Sequence, residues 1–254
     1  MNYRKGGPRS KNAYFLWRRE MPMEHHHVAG FVAGYNAAVR DMEILKDKEK
    51  EKKMNNICLV DMDGTLVNYN LAMYESLMSM LPPEYRPLVK THRHNMWPLD
   101  DIPWLKTLMR TIKSVPGWWL NMPKYQMGWD VYRAAEELGF NMKILTKGPW
   151  NNTQAWKEKV DYIYKHFPEN TPEIDIVSKD KHGISGSILV EDYVPYLEPW
   201  LEANPNGLGV LIDGPTNTGW KHPRCIRYHG YNLEEVKNQI GLLKARESAL
   251  NIQE

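Results

Sequence analysis

Cysteine is scarce, with only Cys58 and Cys225 among 254 residues, too few for a disulfide framework or a four-cysteine zinc site. Cys58 sits inside an apolar run, and this usage reads as a reducing, cytoplasmic setting. No apolar stretch approaches the roughly 18 to 20 residues of a membrane span, so no membrane partner is expected. The opening tract, with Arg and Lys throughout, lacks the uninterrupted apolar segment and small-residue cleavage site of a secretory signal. Excess charge of one sign is missing too. Lys plus Arg number 33 against 31 Asp plus Glu, a net charge of +2, which does not furnish the broad basic surface of a stable nucleic-acid binder. Any anion binding must be local. Phenylalanine is rare at 4 residues, whereas Trp reaches 10 and Tyr 14. Those rings stack and also hydrogen-bond, a bias that points to a flat ligand.

The tract through Arg19 mixes Lys, Arg, Gly and Pro without a sustained period and reads as loosely ordered. Val28, Phe31, Val32, Tyr35, Val39, Met42 and Leu45 then recur at spacings of three and four, the stripe of an amphipathic helix. Asp47 to Lys53 alternates acid and base, a solvated helical extension. Residues 1–53 are therefore read as an N-terminal helical appendage, and 54–254 as the main domain, with Met54 a candidate alternative start.

Ile57 to Val60 reads as a buried strand ending in the polar turn Asp61-Met62-Asp63-Gly64-Thr65. Residues 68–115 form helical pieces broken at Pro82-Pro83, Pro87, Pro98 and Pro103, a cap insert. A helix around Gly128 to Leu138 ends at a glycine cap, Gly139. Strands at Met142–Leu145, Ile174–Val177, Ile188–Val190, Gly209–Ile212 and Cys225–Tyr228 alternate with helices at 151–166, 195–202 and 233–246. The fold class is α/β, a parallel-sheet, Rossmann-like core with a small helical cap inserted after the first motif, plus the appendage. Such a sheet carries its ligand site at the carboxyl ends of its strands.

Asp61 and Asp63 lie two apart directly after a strand, so both carboxylates can face one site. A calcium loop would require an acid or Asn at 65, Gly at 66 and Glu at 72, where this chain has Thr65, Leu66 and Ala72. Lys143-Ile144-Leu145-Thr146 delivers a hydroxyl after a second apolar run, and Ile188-Leu189-Val190-Glu191-Asp192 delivers two acids after a third. Lys181 precedes Asp192 by eleven residues. Brought to one sheet edge, these supply a carboxylate nucleophile, a hydroxyl, an ammonium and a metal-binding acid, a set suited to phosphoryl transfer.

In this order, Asp61-Met62-Asp63-Gly64-Thr65-Leu66, Thr146, Lys181 and Glu191-Asp192 resemble the four motifs of the haloacid dehalogenase-like phosphatase superfamily, over about residues 56–230. Pro116-Gly117-Trp118-Trp119, Ile144 to Pro149 and the run from Lys181 to Asp192 are similar to the cytosolic 5'(3')-deoxyribonucleotidases. Lys147 stands where those enzymes usually carry a small residue, and Glu191 where they usually have a first Asp. The resemblance implies that Asp61 is the nucleophile and Asp63 the general acid and base. It implies a magnesium ion held by Asp61, Asp192 and the Asp63 carbonyl, with Thr146, Lys147 and Lys181 at the phosphate.

Of the tryptophans, Trp118 and Trp119 are the candidates for stacking on a substrate base, with core packing the alternative. His25-His26-His27 would point in different directions on a helix and reads as solvated, while His92 and His94 read as ordinary cap residues. Gly214 to Lys221 has Trp220 where a Walker loop requires Lys. The expected function is a magnesium-dependent phosphomonoesterase acting through an aspartyl-phosphate on deoxynucleoside monophosphates. The alternatives are a phosphatase for another small phosphoester or a polynucleotide end, and a catalytically idle binding module. The expected partner is a small-molecule nucleotide; a homo-oligomer is left open.

Overall fold

The computed structural model describes residues 35–43 and 56–250. The chain divides into two units, Met1–Glu51 and Lys52–Glu254. In the first, residues 35–43 are helical, within the stretch whose spacing predicts a helix. The expectations for the loosely ordered tract, His25-His26-His27, the charge run and the boundary at Met54 lie outside the described residues.

The second unit is built on a six-stranded sheet. Its strands are β1 (Ile57–Val60), β2 (Asn141–Lys147), β3 (Glu173–Val177), β4 (Ile188–Glu191), β5 (Leu208–Ile212) and β6 (Cys225–Tyr228). They lie in the order β3-β2-β1-β4-β5-β6, every pair parallel. Val60 stands beside Ile144 of β2 and Val190 of β4, so the three chain segments that carry acids and hydroxyls leave the sheet at one edge. Alternation along β1 divides the core. Cys58 and Val60 join a cluster that includes Tyr132, Tyr162 and Ile240, whereas Leu59 packs with Leu145, Leu189 and Trp200 on the opposite face.

Those clusters are supplied by α4 (Gln126–Glu137), α5 (Thr153–His166) and α7 (Leu233–Leu250) on one face and by α6 (Val194–Ala203) on the other. Between β1 and α4 stand α1 (Tyr69–Met80), α2 (Arg86–Lys90) and α3 (Pro103–Lys113), with short tight helices at Pro83–Tyr85 and Trp97–Asp101. Their buried side chains, among them Met73, Leu77, Val89, Leu99, Leu105 and Met109, form a separate apolar core, which makes this insert a cap with its own interior. Pro83, Pro87, Pro98 and Pro103 stand in the first turns of its helices, where a missing N–H costs nothing.

Candidate active site

Asp61 continues β1 by donating its N–H to the Val190 carbonyl at 3.0 Å, and the chain then turns sharply through Gly64, whose φ is +83°. The turn is pinned from behind by α4. A Cβ on Gly128 would stand 2.0 Å from the Thr65 carbonyl oxygen, so only glycine lets the helix approach this closely. At the front, a Cβ on Gly64 would stand 2.2 Å from Asp192 Oδ2. The first and last acidic motifs therefore meet across a bare glycine.

Two buried lysines organise the acids. Lys181, 1% exposed, donates to Asp61 Oδ1 and to Glu191 Oε2, the latter at 2.6 Å. Lys159 is fully buried on α5, with Nζ 2.7 Å from Asp63 Oδ2, 2.8 Å from Thr146 Oγ1 and 2.8 Å from the Lys147 carbonyl oxygen. One ammonium thus ties the β1 turn to the β2 terminus. An unpaired buried ammonium would be strongly destabilising, and each cation here is matched by a carboxylate and further acceptors. Asp63 Oδ1 and Thr65 Oγ1 are buried without a partner among the described residues.

Asp61, Glu191 and Asp192 each bring an oxygen within 4.8 Å of the others. Burial pushes the Asp61 carboxyl above its ordinary range, with Lys181 opposing the shift. Glu191 is pushed up to about 7, first by burial and then by the Asp61 charge. Asp192 is raised well above its ordinary value by burial, with the Glu191 and Asp61 charges adding to it. Burial alone would pull Lys181 down, but Asp61 and Glu191 hold it above its usual value. Three crowded carboxylates beside one ammonium fit a hard divalent cation with oxygen ligands. Glu191 spends Oε1 on the Tyr193 N–H at 3.2 Å and Oε2 on Lys181. Asp61 and Asp192 are therefore the carboxylates best placed to hold such an ion.

The acids open into a cavity of about 290 Å³ between core and cap, bordered by Asp61, Asp63 and Asp192 below and by Tyr69, Trp97 and Lys113 from the cap. Trp97 lies stacked on Tyr193, ring centroids 5.3 Å apart. Trp119 also borders the cavity but is only 5% exposed, and its Nε1 donates to the Lys113 carbonyl at 2.9 Å. Trp118 is not among the residues bordering this cavity; its Nε1 donates to Ser76 Oγ at 3.0 Å. Lys147 borders the cavity with its ammonium on Tyr196 Oη at 2.8 Å. Thr146 is buried beneath, held by Lys159. His92 bonds the Leu88 carbonyl within the cap, while His94 borders a second cavity of about 280 Å³ that shares Gly64, Asn70 and Asp192 with the first.

Two contributors were not singled out by the motifs. Lys159 is one; it follows Ala155 by four positions and precedes Tyr162 and Ile163, so it occupies the buried stripe of α5. A charge on an apolar stripe is the signal that betrays it. Asn217 is the other, 3% exposed, donating Nδ2 to the Asp192 and Ile212 carbonyls at 2.8 Å each. Nothing in the local sequence marks it.

No family model matches the chain. A curated protein of Bordetella pertussis named "Putative 5'(3')-deoxyribonucleotidase" is 22% identical over 162 residues, 63% of this chain and 85% of that protein. A protein of the same name from Bordetella bronchiseptica is likewise 22% identical, over the same shares of the two chains. Among solved structures, a HAD-superfamily hydrolase from Ehrlichia chaffeensis is 13% identical with a TM-score of 0.43, covering 74% of this chain and 97% of that one. A phosphoserine phosphatase from T. onnurineus is 13% identical with a TM-score of 0.39, covering 74% and 96%. In the order of its motifs the chain resembles the haloacid dehalogenase-like hydrolases.

Proposed function

We propose that the chain is a magnesium-dependent phosphomonoesterase that works through an aspartyl-phosphate on Asp61, with deoxynucleoside monophosphates as the preferred substrates. One observation carries the reading: Asp61, Asp63 and Asp192 border one cavity at the carboxyl ends of β1 and β4, with Lys181 bonded to Asp61 and Thr146 linked to Asp63 through Lys159. A site for binding alone has no need of a nucleophilic carboxylate set against a buried ammonium and a cluster of acids.

In the proposed reaction Asp61 attacks phosphorus, and the bond from phosphorus to the ester oxygen breaks as Asp63 gives that oxygen a proton. Water then attacks phosphorus as Asp63 takes its proton. The acyl–phosphate bond breaks, releasing inorganic phosphate and restoring the Asp61 carboxylate. Lys181 balances charge at Asp61, and Lys159 fixes Asp63 Oδ2 so that the unpartnered Oδ1 is free to serve the leaving group. A magnesium ion held by Asp61 and Asp192, with the Asp63 carbonyl, would offset the charge of the phosphate. Thr146 and Lys147 stand at the phosphate end.

The nucleotide assignment draws on the relatives named for that activity and on the aromatic walls of the cavity, Tyr69 and Trp97. No helix among the described residues is long and apolar enough to cross a membrane. The test is phosphate release from a panel of phosphomonoesters with and without magnesium. The expected result is magnesium-dependent hydrolysis with deoxynucleoside monophosphates turned over best. Folded protein that releases phosphate from no ester would remove the catalytic reading.

A further inference from the structure

Lys113 is the last residue of α3 and sends its side chain from the cap into the cavity. Its ammonium lies 5.9 Å from the centre of the Tyr69 ring, and among the described residues it has no hydrogen bond and no ion pair. Its backbone is held fast. The Lys113 carbonyl accepts from Trp119 Nε1 at 2.9 Å and from Asn152 Nδ2 at 2.8 Å, which anchors the end of the helix to the core side of the seam. Asp100, on the cap's second tight helix, borders the same cavity. The cap therefore presents a donor and an acceptor, along with Tyr69 and Trp97, to the cavity that the acids of the sheet edge also border. A half-buried ammonium with three donors and no protein acceptor among the described residues can donate them to a substrate.

We propose that Lys113 recognises the leaving group, and that the substrates are phosphomonoesters whose leaving group carries an oxygen acceptor: a carbonyl, a carboxylate or a second phosphate. This rests on the phosphomonoesterase reading above and narrows its substrate class. Lys159 and Lys181, buried in the core, already serve the reacting end. Lys113 is supplied by the cap rather than by the sheet edge, so its contribution should follow the part of the substrate that the cap covers.

The test compares the full chain with Lys113→Met and Lys113→Arg on four esters in magnesium. Thymidine 5'-monophosphate supplies a carbonyl, phosphoglycolate a carboxylate, a sugar bisphosphate a second phosphate, and phenyl phosphate none of these. The expected result is that Lys113→Met lowers kcat/KM for the preferred acceptor-bearing ester roughly tenfold or more, mostly through KM. Phenyl phosphate should change by less than about twofold, and Lys113→Arg should recover much of the loss. Equal losses on phenyl phosphate, or no loss on any acceptor-bearing ester, would overturn the proposal. Lys113→Gln decides in the same way should Lys113→Met fail to fold. If thymidine 5'-monophosphate is ignored while another acceptor-bearing ester depends on Lys113, the nucleotide reading falls and this one stands. Nucleotide turnover indifferent to Lys113 gives the reverse.

Discussion

Lys159 Nζ lies 2.7 Å from Asp63 Oδ2 and reaches it from the interior of α5, across 96 residues of sequence. The same ammonium bonds Thr146 and the Lys147 carbonyl, so the β1 turn and the β2 terminus share one buried cation. Its neighbour Glu158 accepts the N–H groups of Gly117 at 2.7 Å and Trp119 at 3.1 Å. Adjacent residues of α5 thereby hold the Asp63 carboxylate and the segment leaving the cap.

Lys159→Met should accordingly lower kcat about a hundredfold or more, because the carboxylate loses its fixed rotamer and Thr146 its donor. Lys159→Arg should recover little, since a planar guanidinium cannot reproduce three converging bonds in a site without free volume. Steady-state kinetics with circular dichroism on both variants would decide it. Near-normal kcat in folded Lys159→Met would show that Asp63 needs no such support.

Asp61→Asn should lose at least roughly a thousandfold in rate, the loss of a nucleophile rather than of a contact. The neutral amide also relieves crowding among three buried acids, so the variant should be no less stable than the parent in the absence of metal. Single-turnover phosphate release and a thermal melt measure the two effects separately. Substantial turnover by the folded variant would eliminate the covalent route.

Gly64→Ala tests the contact between the two acidic motifs. The φ of +83° costs an L-residue about 1 to 2 kcal/mol, and a methyl group 2.2 Å from Asp192 Oδ2 forces that carboxylate aside. The magnesium concentration for half-maximal activity should rise about tenfold or more. An unchanged magnesium requirement in active Gly64→Ala would separate Asp192 from the metal.

Much of this arrangement was legible from local pattern. Short apolar runs leading into Asp61, Thr146 and Glu191-Asp192 announce parallel strands with chemistry at their carboxyl ends, and Gly139 marks the end of α4 with φ +78°. Partnerships were less legible, because they depend on how helices cross the sheet. In the charged stretch Lys157-Glu158-Lys159 only Lys157 is exposed. Asn217 reaches the Asp192 carbonyl from a loop whose course no period encodes. Trp118 and Trp119 look equivalent in sequence, but one turns toward Ser76 and the other toward the cavity.

Metal and pH should act together on stability. Glu191, at about 7 in the folded chain, lies above its ordinary 4.5, and Asp61 and Asp192 are shifted in the same direction. Without metal the folded state therefore binds protons that the unfolded chain has released. This contribution to stability is full below about pH 4.5 and is lost as pH rises through about 7. Magnesium needs the ionised carboxylates, so the rise in Tm that it produces should be small at pH 5 and larger at pH 8. A magnesium shift independent of pH over that range would remove Asp61 and Asp192 as ligands.

The aromatic walls separate a nucleotidase from a general phosphatase. Trp97 is 52% exposed and Trp119 only 5%, so the two should fail differently. Removing the Trp119 ring opens a hole in packed structure, which costs about 3 to 5 kcal/mol, and Trp119→Ala should lower Tm and injure every substrate alike. Trp97 sits at the cavity border on the Tyr193 ring, where its loss leaves little void. Stacking of a base on an aromatic ring is worth roughly 1 to 3 kcal/mol, and a ringless ester gains nothing from it. Trp97→Ala should therefore lower kcat/KM for a deoxynucleoside monophosphate about tenfold or more, with little change for glycerol phosphate and little loss of Tm. Trp118→Ala, which loses its bond to Ser76, should cost stability without this selectivity. Losses that match on the two esters for Trp97→Ala would leave the phosphatase chemistry intact and take away the aromatic argument for a base.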